Sequence, residues 1–257
     1  MTMLQPLPEI TSSWPPPPDQ LALGAAEVHV WRIWLEQPAE IVESLRRLLS
    51  TDEQSRAARF HFEKDRRNFI VARGGLRKLL GRYLEIAPAD LSFTYGDQGK
   101  PALAPEVAQK LTPLKFNLAH SGSLAVYAFT LLGEIGIDLE HIKPEFTGDD
   151  IAQRFFSATE VACLDQLSAD ARALAFFNCW TRKEAFIKAK GMGLSLALDQ
   201  FDVTLGPAQE AALLRTRWDE SEAGRWSLRA LDIGVGYVGA VVVEAHDWQL
   251  NCWEFVA

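Results

Sequence analysis

Two short segments carry the residues best suited to chemistry: Gly136-Ile137-Asp138-Leu139-Glu140, and Trp180-Thr181-Arg182-Lys183-Glu184-Ala185-Phe186-Ile187-Lys188. In the first, two carboxylates stand at i and i+2. On an extended strand, alternate side chains share a face, so Asp138 and Glu140 point the same way. In the second, Glu184 and Lys188 stand at i and i+4, neighbours on one face of a helix. Three carboxylates converging from a strand and a helix make a hard oxygen site suited to Mg²⁺, a cation that keeps positions open for water and substrate phosphates. A lysine one turn from the third carboxylate can neutralise charge on a departing phosphate. Phosphoryl or phosphodiester chemistry is the reading these residues support.

The elements around them can be read from pattern. Val28 to Leu35 is rich in β-branched and aromatic residues and reads as a strand. A helix is expected near 39–49, with Ser50 or Thr51 capping the next one, and 63–84 reads as one long helix. On its wheel Phe69, Leu76, Leu79, Leu80 and Tyr83 form an apolar sector, and Arg73 falls inside it, about 40° from Phe69. A second wheel over 173–190 places Phe176, Phe177, Trp180 and Ile187 on one stripe. Glu184 lies at about 80° from Phe176, within that stripe. A carboxylate there must be paired, coordinated or set in a cleft, because an unpaired buried charge is costly. Ser157 to Glu160 fits a capping box, and Gly191 fits a helix end.

The two helical regions belong to a repeat. Shifting the chain by 110 residues lays 73–103 over 183–213 without a gap, with eight identities in 31 positions, among them Lys78/Lys188, Gly81/Gly191 and Gly96/Gly206. In this register Arg73 falls on Lys183. Two similar α+β halves would form a pseudo-dimer within one chain, with a cleft between them. The division expected is a proline-rich, poorly ordered tail over 1–22, an N-terminal lobe over 23–137 and a C-terminal lobe over 138–257. Asp138 and Glu140 then lie at the seam.

Composition narrows the function classes. A formal charge of −8 over 257 residues argues against a general nucleic-acid binder. Cys163, Cys179 and Cys252 are odd in number and lack CxxC spacing, so they read as reduced thiols of a cytoplasmic protein. No basic stretch precedes an apolar run at the N-terminus, and no apolar segment approaches about 20 residues, so neither export nor a membrane span is expected.

Four motifs then arrive in the order of a known family. Gly99-Lys100-Pro101, Phe116-Asn117-Leu118-Ala119-His120-Ser121, Gly136 to Glu140 and Trp180 to Lys188 resemble the elements of the 4′-phosphopantetheinyl transferases of the Sfp type. The resemblance covers about residues 25 to 245. Ala119 departs from it, standing where serine is common, and so does Asn68, where many relatives carry a base. The resemblance implies an α+β fold of two similar lobes related by pseudo-twofold symmetry, with the active site in the cleft between them. It implies transfer of 4′-phosphopantetheine from coenzyme A to a serine of acyl or peptidyl carrier proteins, with adenosine 3′,5′-bisphosphate released. Such carriers serve fatty-acid, polyketide or nonribosomal peptide synthesis.

Carried over by position, Asp138, Glu140 and Glu184 would bind Mg²⁺, with Glu184 or a metal-bound water taking the serine proton. Lys188 would stabilise the leaving bisphosphate and His120 would touch a phosphate. Lys100, Pro101, Ser121, Arg59, Arg66 and Arg73 would complete the coenzyme A pocket. The second lobe, with Phe155, Phe156 and the segment 150–170, would dock the carrier, and the duplicated architecture implies a monomer. The competing readings are an Mg²⁺-dependent hydrolase of coenzyme A or nucleotide pyrophosphates, and a non-catalytic homologue that only binds coenzyme A or a carrier.

Overall fold

The computed structural model describes residues 14–19, 21–108, 114–143 and 148–256. The first lobe runs β1 (Glu27–Trp34), α1 (Ala39–Arg46), α2 (Thr51–Ala58), α3 (Glu63–Leu84), a 3-10 turn over Pro88–Asp90, β2 (Phe93–Tyr95), β3 (Pro101–Leu103), α4 (Pro105–Ala108), β4 (Lys115–Ser121) and β5 (Leu124–Thr130). The second repeats the order with β6 (Ile135–His141), α5 (Asp149–Phe155), α6 (Ala158–Asp165), α7 (Ala169–Lys190), a 3-10 turn over Leu198–Gln200, β7 (Phe201–Val203), β8 (Leu213–Thr216), β9 (Ser227–Leu231) and β10 (Tyr237–Val243). A last strand, β11 (Gln249–Glu254), returns to the first lobe and pairs in parallel with β1. The sheets are ordered β11-β1-β5-β4 and β6-β10-β9, so each lobe uses its first strand beside its last hairpin. The α+β fold of two similar lobes is the one expected. Its seam runs along β6, and the boundary expected between 137 and 138 falls inside that strand.

Alternation along the strands sorts the side chains into layers. Val28, Val30, Val126 and Ala128 of one sheet meet Ile135, Ile137, Leu139, Val241 and Val243 of the other in a shared apolar core. Trp31, Ile33, Tyr127 and Phe129 face the opposite way, against Leu76, Leu79 and Leu80 of α3. Ala240 and Val242 likewise pack on Ala185, Phe186 and Ala189 of α7. Because Ile135, Ile137 and Leu139 fill the interlobe core, Gly136, Asp138 and Glu140 must face α7.

Each lobe fastens its long helix with the same device. Ser50 and Ser157 open α2 and α6 with capping boxes closed by Glu53 and Glu160. Each glutamate also meets a buried cation of the following helix. Arg77 donates to Glu53 Oε2 at 2.6 Å and to the carbonyls of Pro88 and Leu91. Lys183 lies 2.8 Å from Glu160 Oε2 and donates to the carbonyls of Leu198 and Phe201. The lobes therefore superpose Arg77 on Lys183. This corrects the ungapped register, which had paired Arg73 with Lys183. The cause is an added 3-10 turn at Gly193–Ser195, which lengthens the connection after α7 by one helical turn relative to that after α3. Beyond it Pro88 and Leu91 do correspond to Leu198 and Phe201 at the expected shift of 110.

Of the expected proline-rich tail, residues 1–13 and 20 lie outside the described residues. Trp14 is buried, donates its indole N–H to the carbonyl of Asp232 at 2.8 Å and lies under the Arg32 guanidinium. The three cysteines are free thiols. Among the described residues no helix is long and apolar enough to cross a membrane.

The lysine clasp of the second lobe has a measurable consequence. Lys183 is fully buried and Glu160 is 2% exposed, so Lys183→Met strands a carboxylate in the core. Such a change costs about 3–5 kcal/mol. Urea unfolding is expected to show a loss of that order with an unchanged slope, whereas a loss under about 1 kcal/mol would mean the clasp adds no net stability.

Candidate active site

The site begins with a missing side chain. A Cβ on Gly136 would overlap the carbonyl oxygen of Ala185 and the backbone nitrogen of Ala189, so β6 lies directly on the backbone of α7. That contact brings Asp138 to Lys188, whose Nζ donates to Asp138 Oδ1 at 2.5 Å. From the first lobe, Asn117 Oδ1 accepts the N–H of Ile137 at 2.9 Å, and Ser121 Oγ donates to Glu140 Oε2 at 2.7 Å. Two side chains of the Phe116–Ser121 motif thus grip the strand that carries the carboxylates.

The electrostatics are those of an anionic site short of cations. Asp138 is 5% exposed, and its Oδ2 is buried without a hydrogen-bond partner. Burial pushes its pKa up to about 7 against the pull of Lys188, with Glu184 and Glu140 adding repulsion. Half-buried Glu184 is also raised, by burial first and then by Glu140, with Lys188 opposing. Asp138, Glu140 and Glu184 therefore act on one another. Yet among the described residues no three His, Cys, Asp or Glu side chains are grouped tightly enough to hold a metal ion. The ammonium of Lys188 takes one oxygen of Asp138, and the Ser121 hydroxyl takes one of Glu140. The donor set still fits a hard dication: three carboxylates, one of them with a buried, unused oxygen.

Beside them lies a cavity of about 600 Å³. Arg56, Phe60, Phe69 and Arg73 of the α2–α3 region form one end. Gln98 to Pro101 form a wall, and His120, Gly122 and Lys188 form the end towards the carboxylates. Five of the expected pocket residues therefore share this space: Arg73, Lys100, Pro101, His120 and Lys188. Ser121 lies outside its lining and serves Glu140. Arg59 is exposed at the end of α2 and does not line it. Arg66 is ion-paired with Glu63 and belongs to a groove between α1 and α3.

Arg56, which the sequence reading passed over, stands over the Phe69 ring at 5.3 Å. Its i−3 spacing from Arg59 was visible, but only the packing of α2 on α3 shows which arginine turns inward. Arg73 lies near the rings of Phe93 and Tyr95 and donates to the Tyr95 hydroxyl at 3.0 Å. Its Nε lies 3.3 Å from Glu53 Oε1, and its Nη1 is buried without a hydrogen-bond partner. Loss of water and then the charge of Lys188 lower the pKa of His120, with Glu140 opposing. Phe156 departs from its expected place on a docking surface. It is 4% exposed and stacks on Phe176, because the hydrophobic interior of the second lobe claims it.

Comparison with known proteins gives the family of the chain. Residues 32–131 match the family described as 4′-phosphopantetheinyl transferase, N-terminal, and residues 134–242 match the 4′-phosphopantetheinyl transferase superfamily. The chain is 39% identical to the 4′-phosphopantetheinyl transferase HetI of Nostoc sp., over 95% of this chain and 98% of that protein. It is 33% identical to the 4′-phosphopantetheinyl transferase Sfp of Bacillus subtilis, over 68% of this chain and 76% of that one. Among solved structures, holo-[acyl-carrier-protein] synthase of Thermotoga maritima is 21% identical over 43% of this chain and 61% of that one, with a TM-score of 0.35. The chain belongs to the 4′-phosphopantetheinyl transferase superfamily and is an enzyme of that class.

The raised pKa of Asp138 fixes a pH dependence. Below its ordinary value of 3.8 the carboxyl is protonated in both folded and unfolded chains. As pH rises towards about 7, the unfolded chain gives up the proton first and the fold loses stability. Above that the cost is complete, with an upper bound of about 4 kcal/mol. With a chelator present, Asp138→Asn is expected to gain melting temperature relative to the parent, by less at about pH 5 than at about pH 8. A difference that does not change with pH would show that Asp138 is not held as a desolvated charge.

Proposed function

We propose that this chain transfers 4′-phosphopantetheine from coenzyme A to a carrier-protein serine in the cleft between its lobes, with Asp138, Glu140 and Glu184 holding Mg²⁺. The observation that carries this reading is the buried, unpartnered oxygen of Asp138. It lies among coupled carboxylates beside Lys188, at the end of a cavity whose far end offers cations.

The adenosine portion of coenzyme A fits the cavity. Arg56 and the free Nη1 of Arg73 meet the 3′-phosphate, while Lys100 and Pro101 form the wall. His120, with its depressed pKa, donates as a neutral imidazole to a phosphate oxygen. Lys188 faces the diphosphate. When bound, Mg²⁺ supplies charge neutralisation on that diphosphate. Glu184, raised by burial, accepts the proton of the carrier serine as its Oγ bonds to the phosphorus on the pantetheine side. The phosphorus–oxygen bond to adenosine 3′,5′-bisphosphate breaks, and Lys188 stabilises the charge left on that group. Ser121 and Asn117 orient the strand that bears Asp138 and Glu140.

Both halves of the cleft come from one chain, so the enzyme works as a monomer. A substrate pair of coenzyme A and carrier protein places it in the cytoplasm. The acidic chain meets an acidic carrier through local cations and apolar contacts on the second lobe, where Phe155 is accessible and Phe156 is not.

The test is the intact mass of an apo carrier protein after incubation with coenzyme A, Mg²⁺ and either the parent chain or Glu184→Gln. A gain of about 340 Da that the substitution abolishes is expected for a metal-dependent transferase. Coenzyme A consumed without modified carrier would favour hydrolysis. Coenzyme A bound but left intact would favour a binding homologue.

A further inference from the structure

Lys100 stands in a turn of the first lobe, but its ammonium is spent on the second. Nζ donates to the carbonyl of Ile135 and to the carbonyl of Ala189, each at 3.2 Å. Glu134 Oε2 lies at 3.5 Å and also faces Lys115. Ile135 begins β6, three residues before Asp138. Ala189 follows Lys188 in the last turn of α7, where helix carbonyls lack partners within the helix.

One cation therefore joins the start of the carboxylate strand to the end of the catalytic helix. It does so beside Gly136, where the two backbones touch. Burial lowers the pKa of Lys100 against the pull of Glu134, as expected of an ammonium withdrawn from water and held by carbonyl oxygens. A lysine reserved for a phosphate would keep its donors turned to the open cavity.

We propose that Lys100 is a positioning residue: it clamps β6 to the C-terminal turn of α7 and so sets Asp138 against Glu184 and Lys188, instead of serving chiefly as a contact to the coenzyme A 3′-phosphate. This rests on the ligand set Asp138, Glu140 and Glu184 proposed above. It also predicts a division of labour. Affinity for the 3′-phosphate comes from Arg56 and Arg73, and alignment of the metal carboxylates comes from Lys100.

Coenzyme A and 3′-dephospho-coenzyme A separate the two roles. The parent chain, Lys100→Met and Lys100→Arg are compared by calorimetric binding of both ligands, by carrier-transfer kinetics over an Mg²⁺ titration, and by hydrogen exchange of the β6 and α7 amides. Positioning predicts that Lys100→Met binds each ligand within about twofold of the parent, keeping the parent's preference for the 3′-phosphate. Its kcat falls by about tenfold or more, the Mg²⁺ required for half activity rises, and the amides at the start of β6 exchange faster. Lys100→Arg, which retains a cation with donors, recovers part of kcat and guards against a Met variant that fails to fold.

A selective loss of coenzyme A affinity, with 3′-dephospho-coenzyme A binding and kcat preserved, would overturn the proposal. So would an Arg variant that folds as the parent does and shows that same selective loss. If instead Glu184→Gln transfers normally, the ligand set itself is wrong, an outcome these ligand comparisons do not produce.

Discussion

A strand can rest on a helix with backbone against backbone only where neither presents a side chain to the other. At Gly136 the second lobe meets that condition, and the candidate active site follows from it. Closing the gap puts Asp138 within ion-pair reach of Lys188, on the face of β6 that cannot join the interlobe core. It also forces a carboxylate out of water, which is why Asp138 is raised so far. The first lobe supplies the grips that hold this geometry: Asn117 on the backbone of Ile137, Ser121 on Glu140, and Lys100 on the carbonyls of Ile135 and Ala189. Three motifs that are far apart in sequence thus serve one strand–helix contact.

The duplicated lobe shows what happens without that contact. A shift of 107 residues along the first strands and 106 along the long helices brings the lobes into correspondence. His29 then stands at Gly136 and Tyr83 at Ala189, and their side chains, bonded at 2.8 Å, keep β1 and α3 apart. Trp31 replaces Asp138 and Arg82 replaces Lys188. The ion pair becomes a guanidinium over an indole, at 5.6 Å. Ile33 and Lys78 stand where the second lobe has Glu140 and Glu184. β11 then lies along β1 and brings Trp253 and Phe255 against Trp31. The fold repeats, but the chemistry does not, because aromatic volume fills the first lobe where the second leaves a charged gap.

Much of this was legible in the sequence, for physical reasons that differ by element. The helix over 63–84, a cap at Ser50 or Thr51 and the capping box at Ser157 follow from periodicity and local hydrogen bonding, which need no tertiary context. That Asp138 shares a strand face with Glu140, and Glu184 a helix face with Lys188, follows from the periods of strand and helix. What spacing could not supply was competition for each charge. Arg73, Arg77 and Lys183 all meet capping-box glutamates, but Arg77 and Lys183 also bond carbonyls, while Arg73 bonds the Tyr95 hydroxyl and leaves its Nη1 without a partner. The ungapped register slips by one turn because a four-residue displacement keeps a residue on nearly the same helix face. Phe155 and Phe156 look alike in sequence, and the packing of the end of α5 on α7 decides which of them is interior.

The pairing of Asp138 with Lys188 is best understood as a place kept rather than a bond completed. A buried carboxylate with one oxygen bonded and the other bare is poorly satisfied, and a single ammonium is shared among three acids that repel one another. An apolar pair in these positions would pack more stably, so stability alone does not account for the arrangement. Held at 2.5 Å, however, Lys188 keeps Asp138 from drawing in solvent and stays at the mouth of the cavity where a diphosphate arrives. In the proposed reaction, a dication held by Asp138, Glu140 and Glu184 would give Asp138 a stronger partner and leave Lys188 to face the diphosphate. The bare oxygen of Asp138 and the single ammonium of Lys188 are then two aspects of one unmet charge balance.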